Sequence, residues 1–177
     1  MKRLLVVVVL AFAVPCLAQT AQPPKPGPEV QKLGYYVGTW NTAGEVKATS
    51  TNPAFKISGT ETCEWFAGGF HVVCRGEATS PTGKEKRTSL NILAYDAEAK
   101  AYTVHGISSF GESDSGQGSF TGNTATFLGE GKEAGKPAKF RYTEVQESPT
   151  SYTFKAETSV AGGPWTVFME GKATKVK

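Results

Sequence analysis

This sequence has no stretch with the length and the 3.6-residue apolar spacing of a substantial helix. It is also poor in the side chains that build catalytic and metal centres, with 2 histidines and 3 cysteines among 177 residues. It contains no paired-carboxylate phrase, no Gly-rich phosphate loop before a helix and no serine nucleophile motif. These absences exclude a helical bundle and the enzyme classes that those motifs define.

The chain also lacks a strong charge of either sign. Its 19 lysines and arginines exceed its 16 acidic residues by little, which leaves a net charge of +3. Lys2 and Arg3 lie in a segment that we expect to be removed, so the remaining protein is nearly neutral. No window concentrates the basic residues, and we therefore predict no nucleic-acid partner and no attraction to an anionic membrane surface.

The N-terminus has the parts of a secretory signal peptide. Lys2 and Arg3 precede an unbroken apolar run over residues 4–14, and Pro15 and Ala18 follow it. A membrane-spanning helix needs about 20 apolar residues, and this run is much shorter. We predict a signal peptide over residues 1–18, a periplasmic or secreted protein, and no membrane anchor after cleavage.

Two further segments follow the signal peptide. Residues 19–28 carry four prolines and no apolar period, which predicts a flexible leader. Residues 29–177 are long enough for one domain with a sizeable core. Only residues 28–37 favour a short helical piece, which would plug one end of the fold with Leu33, Tyr36 and Val37.

From Gly38 onwards the chain alternates apolar and polar residues in about ten short segments, separated by Gly, Pro, Asn and Asp. This pattern predicts an all-β protein, a single antiparallel up-and-down barrel of about ten strands. The predicted strands span residues 39–49, 55–66, 70–78, 88–95, 101–108, 116–121, 124–130, 138–146, 151–157 and 165–174.

Two cysteines remain after cleavage, Cys63 and Cys74, and they lie symmetrically about Gly68 and Gly69. A Gly-Gly hairpin turn would place the two cysteines opposite each other on adjacent strands, at a separation that a disulfide can bridge. In an exported protein this arrangement predicts a structural disulfide. A zinc or redox pair would need further thiols or a Cys-x-x-Cys spacing, and neither is present.

Side-chain parity predicts which aromatic residues face the barrel interior. Trp65, Phe70 and Val72 share the face of the two cysteines, whereas His71 and Arg75 take the other face. The same count on later strands gives the predicted ligand-binding residues Trp65, Phe70, Tyr142, Tyr152, Phe154 and Phe168. These rings could equally fill the core of a barrel that has no pocket, and that alternative stays open.

Residues 38–40 (Gly-Thr-Trp) open the first strand after a helical turn, which resembles the Gly-x-Trp signature of the lipocalins and the wider calycin superfamily. The resemblance implies that Trp40 packs across the closed end of the barrel. The phrase over residues 64–70, followed by Tyr95 and Tyr102, is similar to exported bacterial lipocalin-like barrels grouped as a domain of unknown function.

The nitrobindin-like branch of calycins also resembles this chain at Gly-x-Trp, and it binds haem through a histidine on a late strand. This sequence has no histidine after His105, so we expect neither haem nor another cofactor nor a metal. We predict an exported barrel that binds or carries a small, mainly apolar molecule. Two alternatives stay open: a ligand-free barrel that binds another protein, and a calycin-type isomerase or hydrolase assisted by His105.

Overall fold

Ten antiparallel strands follow one another in sequence order around a closed barrel in the computed structural model, which describes residues 24–48, 53–79 and 85–176. Each strand pairs with its chain neighbours, and the first strand also pairs with the last, which confirms the predicted all-β up-and-down barrel. The strands are β1 (Gly38–Val46), β2 (Phe55–Trp65), β3 (His71–Thr79), β4 (Lys86–Asp96), β5 (Ala101–Ser108), β6 (Ser113–Thr121), β7 (Thr124–Glu133), β8 (Lys136–Ser148), β9 (Ser151–Val160) and β10 (Thr166–Lys175).

Parts of the sequence prediction fall outside the described residues. These are the predicted signal peptide, residues 19–23 of the predicted leader, and the predicted end of the first strand at Thr49. Among the residues that the structure does describe, no helix is long and apolar enough to cross a membrane.

A short helix, α1 (Pro28–Lys32), and a single 3-10 turn (Leu33–Tyr35) precede the first strand. Proline is favoured in the first turn of a helix because the N–H that it lacks would have no partner there. Leu33 is fully buried and Tyr36 is 5% exposed, so the predicted helical plug at one end of the barrel is confirmed.

The turn between β2 and β3 is one residue wider on each side than a two-residue hairpin. The N–H of Phe66 donates to the carbonyl oxygen of His71 at 2.9 Å, which leaves Phe70 in the turn rather than in the strand. Gly68 and Gly69 have φ values of 91° and 73°, and glycine adopts this left-handed region without a steric penalty. The turn stays symmetric, so Cys63 still pairs with Cys74.

Strand alternation sorts the side chains into an inner and an outer face. On β9, Tyr152, Phe154 and Ala156 face inward and are buried. Register shifts interrupt the alternation between Gln146 and Ser148 on β8 and between Val167 and Met169 on β10. Several strands are longer than predicted, because pairing in a closed barrel continues through polar residues such as those that end β8 and β9.

Candidate ligand-binding site

The barrel is closed at the end where α1 and the 3-10 turn lie. Trp40 is 1% exposed there, and its Nε1–H donates to the carbonyl oxygen of Tyr36 at 2.6 Å. Lys175 lies on the other side of the indole, with Nζ 4.7 Å from the ring centroid. The lysine also donates to the carbonyl oxygen of Tyr35 at 3.0 Å, so the last strand is tied to the plug.

A disulfide joins Cys63 to Cys74 on the inner face of the barrel. Both residues belong to the core cluster that includes Leu33, Val72 and Tyr102. A carboxylate oxygen of Glu61 lies within 4.8 Å of both sulfurs, a grouping that could suggest a metal site. The two sulfurs are bonded to each other, however, and metal ions are bound by free thiolates.

The predicted ligand-binding residues are spread over the β8–β9 wall, the closed end and the β10 bulge. Tyr142 and Phe154 stack on the β8–β9 wall with ring centroids 6.0 Å apart, and the ring centroid of Tyr152 lies 6.5 Å from that of Phe154. Trp65 packs against the core cluster at the closed end, and Tyr142 packs against the same cluster. Phe70 lies in the β2–β3 turn at that end, and Phe168 lies half-buried at the β10 bulge.

Tyr152 belongs to the wall and to the closed end at once. Its ring centroid is 5.1 Å from that of Trp40 and 6.4 Å from that of Tyr36. The aromatic wall therefore runs continuously from the plug towards the middle of the barrel, which forms an apolar surface along one side of the interior.

Two carboxyl groups face the same interior. Glu61 lies on β2 in the parity of Cys63, and Glu144 lies on β8 in the parity of Tyr142. The hydroxyl of Tyr36 donates to Oε2 of Glu144 at 2.5 Å, and Nδ2 of Asn91 donates to Oε1 of Glu61 at 3.1 Å. The interior thus has polar groups facing the aromatic wall.

The surroundings raise the pKa of both carboxyl groups. Burial first, and then the charge of Glu61, raises the pKa of Glu144 to about 7, although the hydroxyls of Tyr36 and Tyr142 oppose the shift. Burial also raises the pKa of Glu61, against the hydrogen bond from Asn91. Glu144 is therefore a mixture of its acid and its carboxylate near neutral pH.

The tyrosine hydroxyls around Glu144 stay protonated. Burial and then the charge of Glu144 raise the pKa values of Tyr36 and Tyr142 well above 10.0, and the pKa of Tyr152 rises for the same reasons. These three hydroxyls can therefore donate hydrogen bonds inside the barrel at any physiological pH.

The interior is more open away from the plug. Near the plug the inward residues Leu33, Trp40 and Val72 are less than 2% exposed. Further along the barrel, the inward side chains keep part of their accessible surface although they face the axis. This half-buried set, which we call the open half, comprises Ile57, Glu61, Ser89, Asn91, Phe140, Tyr142 and Met169.

Glu61, Asn91 and Glu144 were not among the predicted site residues, although the sequence carried a signal for them. Glu61 is two residues from Cys63, and Glu144 is two residues from Tyr142, so each shares the parity of a residue that was predicted to face inward. A carboxyl group in phase with an apolar face is the kind of departure that marks a functional position.

The two histidines lie on the outer face of the barrel. His71 and His105 are both exposed, and His105 pairs with Ile92 as its position in the sequence suggested. An outer cavity of about 320 Å³ is lined by His105, by other residues of β4–β6 that include Ile92 and Ile107, and by Glu130 of β7. Ile92 and Ile107 are 37% and 56% exposed, which makes this the apolar part of the outer wall.

The fold and the interior define the class of closed, ten-stranded antiparallel barrels with a helical plug and an aromatic inner wall. Within that class, the chain belongs to the family described as "Protein of unknown function (DUF1579)", whose model matches residues 25–175. No curated protein matches the chain.

Solved structures with the same fold support this class. The crystal structure of Rv2717c from M. tuberculosis has a TM-score of 0.62 at 12% identity, and the match covers 85% of this chain and 99% of that one. The S-type phycobiliprotein lyase CPES from Guillardia theta has a TM-score of 0.51 at 12% identity, over 83% of this chain and 92% of that one. At such low identity these likenesses establish the fold alone.

Proposed function

We propose that this protein binds a small, mainly apolar molecule inside the barrel, which the ligand enters from the open half. The observation that carries the proposal is the half-buried state of the inward side chains there, beside the stacked rings of Tyr142 and Phe154. Ligand pockets in proteins combine an apolar wall with a few placed polar groups, and Glu61, Asn91 and Glu144 are such groups.

The second part of this proposal is that the protein is exported. The disulfide between Cys63 and Cys74 is of the kind that persists in oxidising compartments. Together with the predicted signal peptide, it favours a carrier or sensor outside the cytoplasm. Among the similar structures, one is named a phycobiliprotein lyase, so a barrel of this fold serves a lyase in that protein.

The test is binding of a neutral, environment-sensitive dye such as N-phenyl-1-naphthylamine. We expect about one dye per barrel, with a blue-shifted emission. The variant Ile57→Trp places a large ring at a half-buried inward position of β2 and should abolish binding. Lys56→Trp places the same ring at the neighbouring exposed position, and it should leave binding unchanged.

Equal dye binding by the two tryptophan variants would contradict an interior site. Circular dichroism and a thermal melt of both variants show whether Ile57→Trp still folds. If Ile57→Trp does not fold, Ile57→Phe makes the same test with a smaller ring, and the affinity should then fall rather than vanish.

A second function, a protein-interaction module, is favoured by one observation. Ile92, Ile107 and Leu128 are 37%, 56% and 53% exposed on the outer wall, on strands β4, β5 and β7. Apolar side chains that lie together on a surface often mark an interaction site. In this alternative the dye binds to the outer wall and not to the interior. Ile57→Trp should then leave dye binding intact, whereas Ile107→Ser, at the outer cavity, should remove it.

A further inference from the structure

We propose that the barrel interior selects apolar ligands by their polar end, and that it takes a long-chain amine in preference to the matching carboxylate. This inference rests on the proposed function and names the ligand class for the same site. It follows from which atoms of Glu61 and Glu144 have hydrogen-bond partners, and from the charges that surround these two residues.

The first step concerns free acceptor atoms. Glu144 accepts a hydrogen bond from the hydroxyl of Tyr36, and the hydroxyl of Tyr142 also lowers its pKa, so its carboxyl group is already engaged. Glu61 receives one hydrogen bond, from Asn91 to Oε1, and within the described ranges its Oε2 receives none. Glu61 also keeps accessible surface within the barrel, so Oε2 offers an acceptor to a ligand that donates.

The second step concerns charge. No cationic side chain of the described residues lowers the pKa of Glu61 or Glu144, whereas the charge of Glu61 raises the pKa of Glu144. Lys175 has an inward register, but its Nζ is held at the closed end by Tyr35 and Trp40. The interior around Glu61 and Glu144 is therefore negative whenever these groups ionise.

A third acidic residue lies beside Asn91. The oxygens Oδ1 of Asp114 and Oδ1 of Asn91 would lie 2.6 and 2.7 Å from a β-carbon placed at Gly106. Asp114 is exposed, and it adds negative charge beside Asn91, whose amide donates to Glu61. Arg87 shares the parity of Asn91 on β4, but its guanidinium is already paired with Glu112.

The third step compares ligands. A carboxylate ligand would bring a further negative charge into the interior, where burial already raises the pKa of Glu61 and Glu144. It would therefore have to bind as the neutral acid. An ammonium ligand would pair with Glu61 and donate to its free Oε2, which offsets the desolvation of both groups. An alcohol of the same length can donate but carries no charge, and its affinity should lie between the two.

The experiment displaces the neutral dye with dodecylamine, dodecanol and dodecanoate at about pH 8, where the amine is protonated and the acid is ionised. We expect dodecylamine to displace half of the dye at about a tenfold lower concentration than dodecanoate, which corresponds to a difference of about 1.4 kcal/mol in binding free energy. In Glu61→Gln the ratio of the two displacing concentrations should fall to about one, because the amide keeps the volume and the contact with Asn91 but loses the charge. Glu64→Gln, at an exposed position of the same strand, should keep the wild-type ratio.

The possible outcomes separate this inference from the proposed function. If the dye does not bind, the proposed function fails and the inference fails with it. If the dye binds and dodecanoate displaces it as well as or better than dodecylamine, the inference alone is overturned. If Glu61→Gln does not bind the dye, Glu61→Ala makes the same test, and an amine preference that survives it undiminished contradicts the role of Glu61.

Discussion

Tyr36 and Glu144, which are 108 residues apart in the chain, share a hydrogen bond of 2.5 Å inside the barrel. Tyr36 ends the helical plug, whereas Glu144 lies on β8 at the far side of the sheet. The bond therefore fastens the plug to the barrel wall and, with Tyr142, holds the carboxyl group of Glu144 in the interior. Because the proposed site and the closed end share this contact, we expect changes at Glu144 to affect stability as well as the proposed binding.

Replacing Glu144 by Gln should stabilise the protein above neutral pH. The folded protein holds the Glu144 proton up to a pKa of about 7, whereas the unfolded chain loses it near 4.5. The free energy of unfolding of the wild type should therefore fall as pH rises between these values and then stay level. At alkaline pH the free energy of unfolding of Glu144→Gln should therefore exceed that of the wild type by at most about 3 kcal/mol.

Urea unfolding at about pH 4 and about pH 8 measures this effect. The stability difference between Glu144→Gln and the wild type should be small at the lower pH and largest at the higher pH. Glu64→Gln, an exposed residue paired with Arg75, serves as the control and should show no such change. A difference that is equal at both pH values would contradict the raised pKa.

Removing the disulfide should lower stability without changing the fold. The bond closes a loop with a sequence separation of 11 residues, for which chain entropy suggests about 2–3 kcal/mol. The double variant Cys63→Ala and Cys74→Ala should melt at a lower temperature and keep its β-sheet circular dichroism.

A reducing agent provides the matched control for this prediction. It should lower the melting temperature of the wild type towards that of the double variant, and it should leave the double variant unchanged. Two freely alkylated thiols in native, non-reduced protein would rule the disulfide out.

Trp40→Ala should destabilise the protein by about 3–5 kcal/mol, because truncating a buried ring leaves a cavity. Trp40 is 1% exposed and packs against Tyr152, so few neighbours can move in to fill the space. Asn41→Ala, at the adjacent exposed position, should change stability by no more than about 0.5 kcal/mol. Denaturant unfolding compares the two, and similar losses would show that Trp40 does not seal the barrel.

Lys175→Met should destabilise the closed end by a smaller amount. Methionine keeps most of the apolar length but loses the contact with the ring of Trp40 and the hydrogen bond to Tyr35. A cation–π contact and a hydrogen bond to a charged donor together suggest about 1–3 kcal/mol. Lys172→Met, a surface lysine on the same strand, is the control, and an equal effect there would show that position 175 is ordinary surface.

The strands and the disulfide pairing could be predicted because they depend on local information. Alternation with a period of two sets which face of each strand is buried, and the symmetric turn at Gly68 and Gly69 sets which residues of β2 and β3 face each other. Both depend on residues that are close in the chain. Strand ends were predicted less well, since a neighbouring strand decides how far pairing continues.

The position of the interior polar groups is a different matter. The sequence by itself determines that Glu61 and Glu144 lie in phase with inward residues, but not that they lie close enough for the charge of Glu61 to raise the pKa of Glu144. That proximity depends on closing the sheet between β1 and β10, which brings β2 and β8 to face a common interior. Trp65 and Tyr142 show the same limit, because parity predicts that both face inward, whereas only the closed barrel shows that both pack against the same core cluster. Side-chain parity predicts on which face of a strand a residue lies. Its depth along the barrel axis and its neighbours on other strands depend on how the barrel closes.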